Sequence, residues 1–497
     1  MSNTTRPNIH TAVLSLAFVF LPFAVLQVTA QGGWVKQLPG IGTFSSPRVT
    51  DLNGDGVGDI VFGAGRLEFE ACDSAIIALN GLNGELLWNV PAKDQIFGSA
   101  ALIDLNQDYV QDIIIGGRSA ELQAISGVDG KVIWKFNPNT PYKNNKPKWF
   151  NFYNPQLIPD QDNDGLRDIL ISNGGDVMVE PYDPNRPAGS LVTISSRDGS
   201  LISVALMPDG KETYMSPVLC YKETSGQIDV VFGTGGETVG GSLFVTKLSD
   251  VLKGDISNAI QLGASPDKGF IAPPVWVEIT GDNILDIVAN AVDGRMLAFD
   301  GESYQPIWET HMENTEAYSS IAVGHFTPDT IPDFFVSYAQ GVWPDLDWAK
   351  QFMVNGSNGK IEFIDSLGYL QTISPVAAKL NPDGMDEVIL NINYQAIDSI
   401  YSKSFYNLLV AFDFNRKKLI ALSEANPGHN ISSTPWVGDI DKDGRLDIVY
   451  CHSTNQYHTY TFDGLQVNLL KTDIPVVGEI KWGTYMGTDL NGIYKKE

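Results

Sequence analysis

Residues 51–63 read Asp-Leu-Asn-Gly-Asp-Gly-Val-Gly-Asp-Ile-Val-Phe-Gly. Oxygen-bearing side chains stand at positions 1, 3 and 5 of this stretch (Asp51, Asn53 and Asp55), and a glycine follows at position 6. Such side chains converge on one point when the chain curls tightly, and the glycine permits the curl. Asp59, at position 9, then leads a β-branched run that is typical of a buried strand. The stretch therefore predicts an acidic loop that binds a cation and is followed by a strand.

The same loop recurs elsewhere in the chain. The complete sets of candidate ligands are Asp51, Asn53, Asp55 and Asp59; Asp160, Asp162, Asp164 and Asp168; and Asp439, Asp441, Asp443 and Asp447. A fourth set, Asp104, Asn106, Asp108 and Asp112, keeps its ligands but has Tyr109 in place of the glycine. Flexible loops that offer six to eight hard oxygens suit Ca²⁺ better than Mg²⁺ or Zn²⁺. An EF-hand would need a glutamate at position 12 and flanking helices, whereas a strand begins here at position 10. We therefore expect about three to four calcium sites.

Four further loops at corresponding places are weaker. Glu278, Thr280, Asp282 and Asp286 form a marginal set, and His325, Thr327, Asp329 and Asp333 form a poorer one. The loops before Asp229 and Asp386 have lost their ligands, and we expect them to bind no ion.

The acid that leads the strand recurs eight times, at intervals of 47 to 61 residues. It falls at Asp59, Asp112, Asp168, Asp229, Asp286, Asp333, Asp386 and Asp447. A period in the fifties, made of strand and turn residues, is typical of four-stranded propeller blades. We predict an all-β protein, an eight-bladed β-propeller of four-stranded blades. The alternative is a seven-bladed ring with one repeat outside it.

The first unit shows the layout of a blade. Its predicted strands are 46–49, 59–63, 75–79 and 85–88, which we call A to D, and a short glycine turn joins C to D. Trp34 precedes Ser46 by the same distance, within one residue, as Trp88 precedes Ser99. Residues 34–38 are therefore predicted to be a displaced strand D that closes the last blade.

The loop and strand of residues 51–63 resemble the FG-GAP repeat, the calcium-loop blade of integrin α-subunit propellers and of many bacterial surface proteins. The resemblance covers nearly all of the chain after its first thirty residues. It implies a β-propeller, calcium and an extracellular location. It says little about the ligand, because a fold does not fix a function.

A second resemblance concerns tryptophan. Trp88, Trp134 and Trp308 each lie ten residues after an alanine, a pattern similar to the tryptophan-docking motif of eight-bladed quinoprotein propellers. Many of those enzymes bind pyrroloquinoline quinone (PQQ) beneath an adjacent cysteine pair, and no two cysteines are adjacent here. We therefore expect no PQQ and interpret these tryptophans as packing between blades.

Charge and the N-terminal sequence indicate where the protein acts. The 497 residues include 33 Lys and Arg against 59 Asp and Glu, a net charge of −26 that repels phosphate backbones and argues against nucleic acid. Residues 1–30 resemble a cleavable signal peptide, with Arg6, an apolar run and Val28-Thr29-Ala30 before the cut. The alternative is an uncleaved anchor. We expect residues 31–497 to form one propeller domain, secreted or at the cell surface, without a transmembrane segment in the mature chain.

The other reactive residues give no catalytic set. Cys72, Cys220 and Cys451 are most simply three buried thiols, although one bridge between Cys72 and Cys451 would lock the ring. The five histidines after residue 30 form no recognisable acid–base set with lysine or arginine. The leading hypothesis is therefore a non-enzymatic adhesion or binding module for an extracellular protein or glycan. The alternative is a polysaccharide-active enzyme that resembles eight-bladed lyases.

Long, aromatic-rich insertions fall in the B–C and D–A connections, which share one face of a propeller. They include residues 142–150, 176–190, 343–348 and 393–406. Variable loops on a rigid ring are where ligands usually bind. The candidate ligand-binding residues are Tyr142, Trp149, Phe150, Trp343 and Trp348.

Overall fold

Eight four-stranded antiparallel sheets follow one another along the chain and form a closed ring. A computed structural model describes residues 24–27, 32–140, 148–223, 225–369, 372–399 and 402–495. The predicted eight-bladed β-propeller is confirmed, and the seven-bladed alternative is wrong because all eight repeats build a sheet in the ring.

Blades 1 to 4 lie in the first half of the chain. Blade 1 consists of Arg48–Thr50, Asp59–Gly63, Cys72–Leu79 and Leu86–Ala92. Blade 2 consists of Ala101–Ile103, Asp112–Gly116, Leu122–Ile125 and Val132–Lys135. Blade 3 consists of Gln156–Ile158, Asp168–Gly174, Ser190–Ile194 and Leu201–Leu206, with Asn151–Phe152 paired beside its strand B. Blade 4 consists of Val218–Lys222, Gln227–Gly233, Gly241–Lys247 and Ile260–Ser265.

Blades 5 to 8 complete the ring. Blade 5 consists of Val275–Val277, Asp286–Asn290, Arg295–Phe299 and Pro306–His311. Blade 6 consists of Ala322–Gly324, Asp333–Val342, Asp345–Val354 and Ile361–Asp365, with Thr315–Glu316 beside its strand B. Blade 7 consists of Val376–Ala378, Glu387–Ser399, Ser402–Asp413 and Lys418–Ala421; Asn426–Pro427 pairs with its strand C, and Ala24–Gln27 pairs with its strand D. Blade 8 takes Trp436–Gly438, Arg445–Ser453 and Gly464–Pro475 from the C-terminal part of the chain.

The fourth strand of blade 8 comes from the N-terminal part of the chain. Gly32–Pro39 pairs antiparallel with Gly464–Pro475, so that Trp34 lies opposite Leu469. The predicted displaced strand D is therefore confirmed. It closes the ring with backbone hydrogen bonds between segments that are far apart in the sequence.

Tryptophans bind each of four blades to the next. The indole N–H of Trp88 in blade 1 donates to Gly127 O in the C–D turn of blade 2 at 2.7 Å. Trp34, Trp134 and Trp308 donate to Gly81, Ser196 and Gly356 at 2.8, 2.7 and 2.9 Å. Each ring also covers a glycine of that turn, which has a positive φ and no room for a side chain (Gly84, Gly130, Gly199 and Gly359). The prediction that these indoles pack between blades is confirmed.

A helix takes over this contact between blades 3 and 4. At the position of the docking tryptophan, blade 3 has Ser203, whose hydroxyl donates to Val251 O at 2.8 Å. Val251 lies in the helix Leu248–Lys253, which connects strands C and D of blade 4 and packs against blade 3. The described part of the chain contains no helix with the length and apolar character that crossing a membrane requires.

The C-terminal segment 476–495 fills the centre of the ring. The indole of Trp482 donates to Ile321 O of blade 6 at 2.9 Å, and Gly483 O accepts a hydrogen bond from Val437 N of blade 8. Farther on, Ile493–Tyr494 runs parallel to strand A of blade 5. The central channel of this propeller is therefore occupied by the chain itself, and the sequence pattern of the repeats gave no sign of this.

Candidate metal loops and binding face

The A–B loops have the tight curl that the sequence predicts. In the loop of blade 1, the carboxylate of Asp51 accepts hydrogen bonds from Gly54 N at 2.8 Å and Gly56 N at 2.9 Å. The position-6 glycines Gly56, Gly165 and Gly444 have φ values of 87°, 89° and 81°. In blade 2, Tyr109 adopts the same left-handed conformation with a φ of 68° and is 94% exposed, so the loop keeps its shape at the cost of local strain.

The position-9 aspartate has a structural role that sequence reasoning missed. Asp59 is fully buried and accepts hydrogen bonds from Leu52 N and from Gly81 N, both at 2.9 Å. This carboxylate thereby ties the A–B loop to the C–D turn of the same blade. Asp112, Asp168, Asp286 and Asp333 make the same pair of bonds in their own blades. Burial raises the pKa of each of these carboxyls.

Two of the four predicted loops bring three carboxylates close together. Ligand oxygens of Asp160, Asp162 and Asp168 lie within 4.8 Å of one another, as do those of Asp439, Asp441 and Asp447. The loops of blades 1 and 2 have Asn53 and Asn106 at position 3, and three carboxylates do not approach this closely among their described residues. The donor set is oxygen throughout, which fits a hard divalent cation.

Each of the two three-carboxylate loops is already in contact with a basic side chain of the protein. Lys471 donates to Asp441 in blade 8, and this hydrogen bond raises the pKa of the lysine. In blade 3, Arg197 Nε lies 2.8 Å from Asp164 Oδ2. Each loop is thus partly neutralised from within, so a bound cation would compete with a side chain of the protein.

Blade 4, whose loop has lost its acidic ligands, has a lysine at this place. Lys222 Nζ lies 3.0 Å from Asp229 Oδ2 and 3.0 Å from the hydroxyl of Tyr304, which belongs to the C–D turn of blade 5. The ammonium group joins the two blades with a buried ion pair. This arrangement places a lysine ammonium group, and no metal ligand set, beside the A–B loop of blade 4.

The assignment of Asp386 as the acid that leads strand B of blade 7 is wrong. The strand pairing places Glu387 opposite Ala378, in the register that Asp59 has opposite Thr50 in blade 1. Asp386 instead accepts a hydrogen bond from His325 N of blade 6 at 2.8 Å. The adjacent acids Asp386 and Glu387 leave the register ambiguous in the sequence, because the other seven repeats have aspartate at this position.

The corrected register reveals a further acidic group in blade 7. Oxygens of Asp383, Glu387 and Asp413 lie within 4.8 Å of one another, and burial raises the pKa of Glu387 to about 8. Asp383 belongs to the A–B loop and Asp413 to the end of strand C. This loop had been expected to bind no ion.

The candidate ligand-binding aromatic residues, which the sequence assigns to the B–C and D–A connections on the face opposite the A–B loops, differ in exposure. Tyr142 lies outside the described residues. Trp149 packs on Phe136, with ring centroids 4.9 Å apart, and belongs to the edge of the core of blades 2 and 3. Phe150 is half-buried next to it, and Trp343 is half-buried in blade 6. Trp348 is 56% exposed.

Two of the insertions are hairpins rather than irregular loops. In blade 6, strands B and C extend to residues 342 and 345, so that 343–344 forms the tip. In blade 7, strands B and C extend to Ser399 and from Ser402. Strand pairing along residues 393–406 carries Tyr394 and Tyr406 opposite each other, with their rings stacked.

Insertions from three blades meet over the centre of this face. The hydroxyl of Tyr182 in blade 3 donates to Trp343 O of blade 6 at 3.2 Å. The Trp343 ring lies 6.5 Å, between centroids, from Tyr460 of blade 8 and from Tyr318. These contacts cross the ring, and we call the B–C connections of blades 3, 6 and 8 the canopy.

Charged residues lie beneath and beside the canopy. Arg186 Nε lies 2.6 Å from Glu212 Oε2, and Lys268 Nζ lies 2.6 Å from Glu316 Oε1; both glutamates are almost fully buried. Glu316 also accepts a hydrogen bond from the hydroxyl of Tyr318. The residues are spread over blades 3 to 6, and no motif in the sequence connects them.

Cysteine and histidine give no reactive centre among the described residues. Cys72, Cys220 and Cys451 are all buried free thiols, which confirms the simpler interpretation and excludes a Cys72–Cys451 bridge from this structure. His429 and His452 are buried, and burial lowers the pKa of both, that of His452 to about 4.

Comparison with known proteins finds curated relatives of low sequence identity. No known family profile matches the chain. The chain is 22% identical to Protein FAM234B of Homo sapiens over 363 residues, 66% of this chain and 53% of that protein. It is also 22% identical to Protein FAM234B of Mus musculus over 413 residues, 75% of this chain and 61% of that protein. The chain thus spans about half to three fifths of the length of these curated relatives.

Solved structures that the chain resembles include quinoprotein dehydrogenases. Quinohemoprotein alcohol dehydrogenase from Comamonas testosteroni matches with a TM-score of 0.53 at 12% identity, covering 90% of this chain and 78% of that one. A europium-containing methanol dehydrogenase matches with a TM-score of 0.53 at 10% identity, covering 89% of this chain and 93% of that one. At such low identity the likeness concerns the fold alone, and the chain is a β-propeller.

Proposed function

We propose that this protein is a calcium-stabilised β-propeller, secreted or at the cell surface, that binds an extracellular protein or glycan through its B–C and D–A face. The observation that carries the proposal is the canopy, in which connections from blades 3, 6 and 8 cross the ring and contact one another. Connections of this length are not needed to close a blade. Their convergence offers a single continuous surface for a ligand.

Exposed apolar side chains on this face support the proposal. Five blades contribute large exposed apolar side chains in or beside their B–C connections, namely Phe69, Met178, Tyr182, Trp348, Ile397 and Tyr457. Met178 is 88% exposed and Tyr182 is 64% exposed. Aromatic side chains with a polar tip act as anchors for protein and sugar ligands because they bury much area at little cost in conformational entropy.

The acidic loops on the other face support the calcium part of the proposal. Oxygens that lie within 4.8 Å of one another in blades 3 and 8 repel unless a cation or proton neutralises them. In this proposal Ca²⁺ has a structural role, since it would hold together the A–B loops that connect the channel strands to their neighbours. The proposed export is supported by residues 1–30, which resemble a signal peptide.

The binding face is tested by a glycan array and an array of extracellular proteins, both with calcium present. We expect Trp348→Ala and Tyr457→Ala to remove the captured signal without changing the melting temperature, because both side chains are exposed. Tyr109→Ala serves as the control, since Tyr109 is 94% exposed but lies in an A–B loop. Trp149→Ala should lower the melting temperature, because Trp149 packs on the core.

Loss of capture in Tyr109→Ala, or full capture by the double variant of Trp348 and Tyr457, would show that the face is wrongly assigned.

A further inference from the structure

A cavity of about 400 Å³ opens at the end of the central channel where the A–B loops lie. Strands A of blades 1 to 4 form one wall, and residues 489–493 of the C-terminal segment form the other. Much of the lining is apolar, with Leu102, Leu157, Leu219 and Leu490 among the contributing residues. The cavity is remote from the canopy, which lies over the opposite face.

A buried arginine lies at the inner end of this cavity. Arg48, the first residue of strand A in blade 1, is only 2% exposed. Its Nε donates to Ala100 O at 3.2 Å, and its Nη1 donates to Tyr485 O at 2.9 Å and to Thr484 Oγ1 at 3.3 Å. All of these acceptors are neutral. Within the described ranges, no carboxylate oxygen lies within 4 Å of this guanidinium.

A buried charge without a counter-ion is costly. Removing a guanidinium from water costs several kcal/mol unless an opposite charge compensates. Neutral carbonyl and hydroxyl oxygens supply only part of that compensation. The protein carries a net charge of −26, yet none of the carboxylates in the described residues lies against Arg48, and an open cavity lies beside it.

The mouth of the cavity carries a second arginine. Arg167 lines the cavity and donates from Nη2 to Leu157 O at 3.0 Å. Asp489 also lines it and pairs with Lys495 at 3.2 Å. The cavity thus combines one buried and one exposed guanidinium with apolar walls and a single carboxylate at its edge.

We propose that this cavity binds an amphipathic monocarboxylate, with the carboxylate on Arg48 and the apolar body against the leucines of the wall. Arginine and carboxylate form charge-assisted hydrogen bonds of matching geometry. Cavities of roughly 300–1,000 Å³ with apolar walls and a few placed polar groups are typical small-molecule sites. A singly charged head suits the site better than a phosphate dianion, because Asp489 and the acidic chain repel the extra charge.

The proposal is tested by calorimetric titration of the full chain with octanoate and with octanamide, its neutral analogue of the same length. We expect octanoate to bind at least ten times more tightly than octanamide, because only the carboxylate neutralises Arg48. Inorganic phosphate is the third probe, and we expect no heat of binding from it. Equal affinity for octanoate and octanamide, no binding of octanoate, or tighter binding of phosphate would overturn the proposal.

Variants locate the site. Arg48→Gln should abolish the preference for octanoate over octanamide, while Arg445→Gln, which changes an exposed arginine paired with Asp473, should keep it. Because Arg48→Gln could impair folding, Leu102→Trp provides a second test: its larger side chain fills the cavity from a half-buried position. We expect it to abolish octanoate binding with an unchanged melting temperature. Octanoate binding that survives Leu102→Trp would overturn the assignment to this cavity.

Discussion

The contact between an indole and a glycine carries the packing between neighbouring blades. Gly130 has a φ of 70°, and a Cβ placed there would lie 2.8 Å from Cβ and Cγ of Trp88. Gly210 has the same φ of 70°, but no atom lies within 4 Å of its added Cβ. The two glycines therefore separate the cost of backbone strain from the cost of a clash with the tryptophan.

Alanine at both positions measures this contact. Gly210→Ala should cost about 1–2 kcal/mol, the strain of a left-handed alanine. Gly130→Ala should cost about 1–3 kcal/mol more, because the indole must move. Urea unfolding of both variants measures the difference, and equal midpoints would show that the docked indole adds no packing constraint at the turn.

A buried histidine makes stability depend on pH. His452 is 2% exposed, and burial lowers its pKa to about 4. The folded protein therefore holds the neutral form, and the unfolded chain, with a pKa of about 6.5, binds the proton more tightly. The stabilisation is complete above pH ~6.5 and is lost as the pH falls towards 4, by roughly 3 kcal/mol.

Substitution of this histidine tests the dependence. His452→Gln should unfold with a weaker dependence of its urea midpoint on pH between 7 and 4 than the unchanged protein. His458→Gln, at an exposed position in the B–C connection that follows the strand of His452, provides the control. Parallel profiles for His452→Gln and the unchanged protein would contradict a buried neutral imidazole.

At the scale of elements, the displaced strand D closes the ring. Gly33 in this strand has a φ of 113°, and a Cβ there would lie 1.9 Å from Leu469 O in strand C of blade 8. The neighbouring Gly32 has ordinary backbone angles and 4.0 Å of space to Lys471 Cβ. Gly33→Ala should therefore force the two strands apart, whereas Gly32→Ala should not.

We expect Gly33→Ala to lower the free energy of unfolding by about 3 kcal/mol, from backbone strain and from the clash with Leu469 O. It should also expose the seam between blades 1 and 8 to proteolysis. Gly32→Ala should behave like the unchanged protein in both measurements. A stable, protease-resistant Gly33→Ala variant would mean that the N-terminal strand is dispensable for closure.

The repeats could be predicted because residues that lie close together in the sequence mark the strands and turns of each repeat. Strand B of blade 1 has the predicted bounds, Asp59–Gly63, since a turn acid and a β-branched run mark both ends. Strand D of blade 8 could be found from the spacing of Trp34 alone. Blade 7 was placed one residue out of register because Asp386 and Glu387 are adjacent and only pairing with Ala378 distinguishes them.

Features made by distant segments could not be predicted. The C-terminal segment lies outside the repeat, and its hydrogen bond from Trp482 reaches Ile321, which has no sequence signal for such a partner. Arg48 looked like any strand residue, because its burial depends on Thr484 and Tyr485. The canopy likewise needs three blades at once. Each of these depends on closure of the ring rather than on a pattern within one blade.

At the scale of the whole molecule, the two faces of the ring have different compositions. The A–B loops are short and carry the acidic sets, and in blade 1 the position-9 aspartate joins its A–B loop to its C–D turn. The opposite face carries the canopy and exposed aromatic side chains such as Tyr182, Trp348 and Tyr457. We propose that the two faces have different roles: cations would stabilise the face of the A–B loops, and the face of the B–C and D–A connections would bind the ligand.

The measurement that tests this account most directly is thermal unfolding in ~2 mM calcium and in excess chelator. Extracellular calcium modules have a Kd of roughly 10⁻⁴–10⁻³ M, so each loop should add about 0.6–1.8 kcal/mol at this concentration. We predict a lower melting temperature in chelator, with Asp162→Ala and Asp441→Ala each losing part of the calcium response and the exposed Asp73→Asn keeping all of it. An unchanged melting temperature in chelator would contradict the calcium loops.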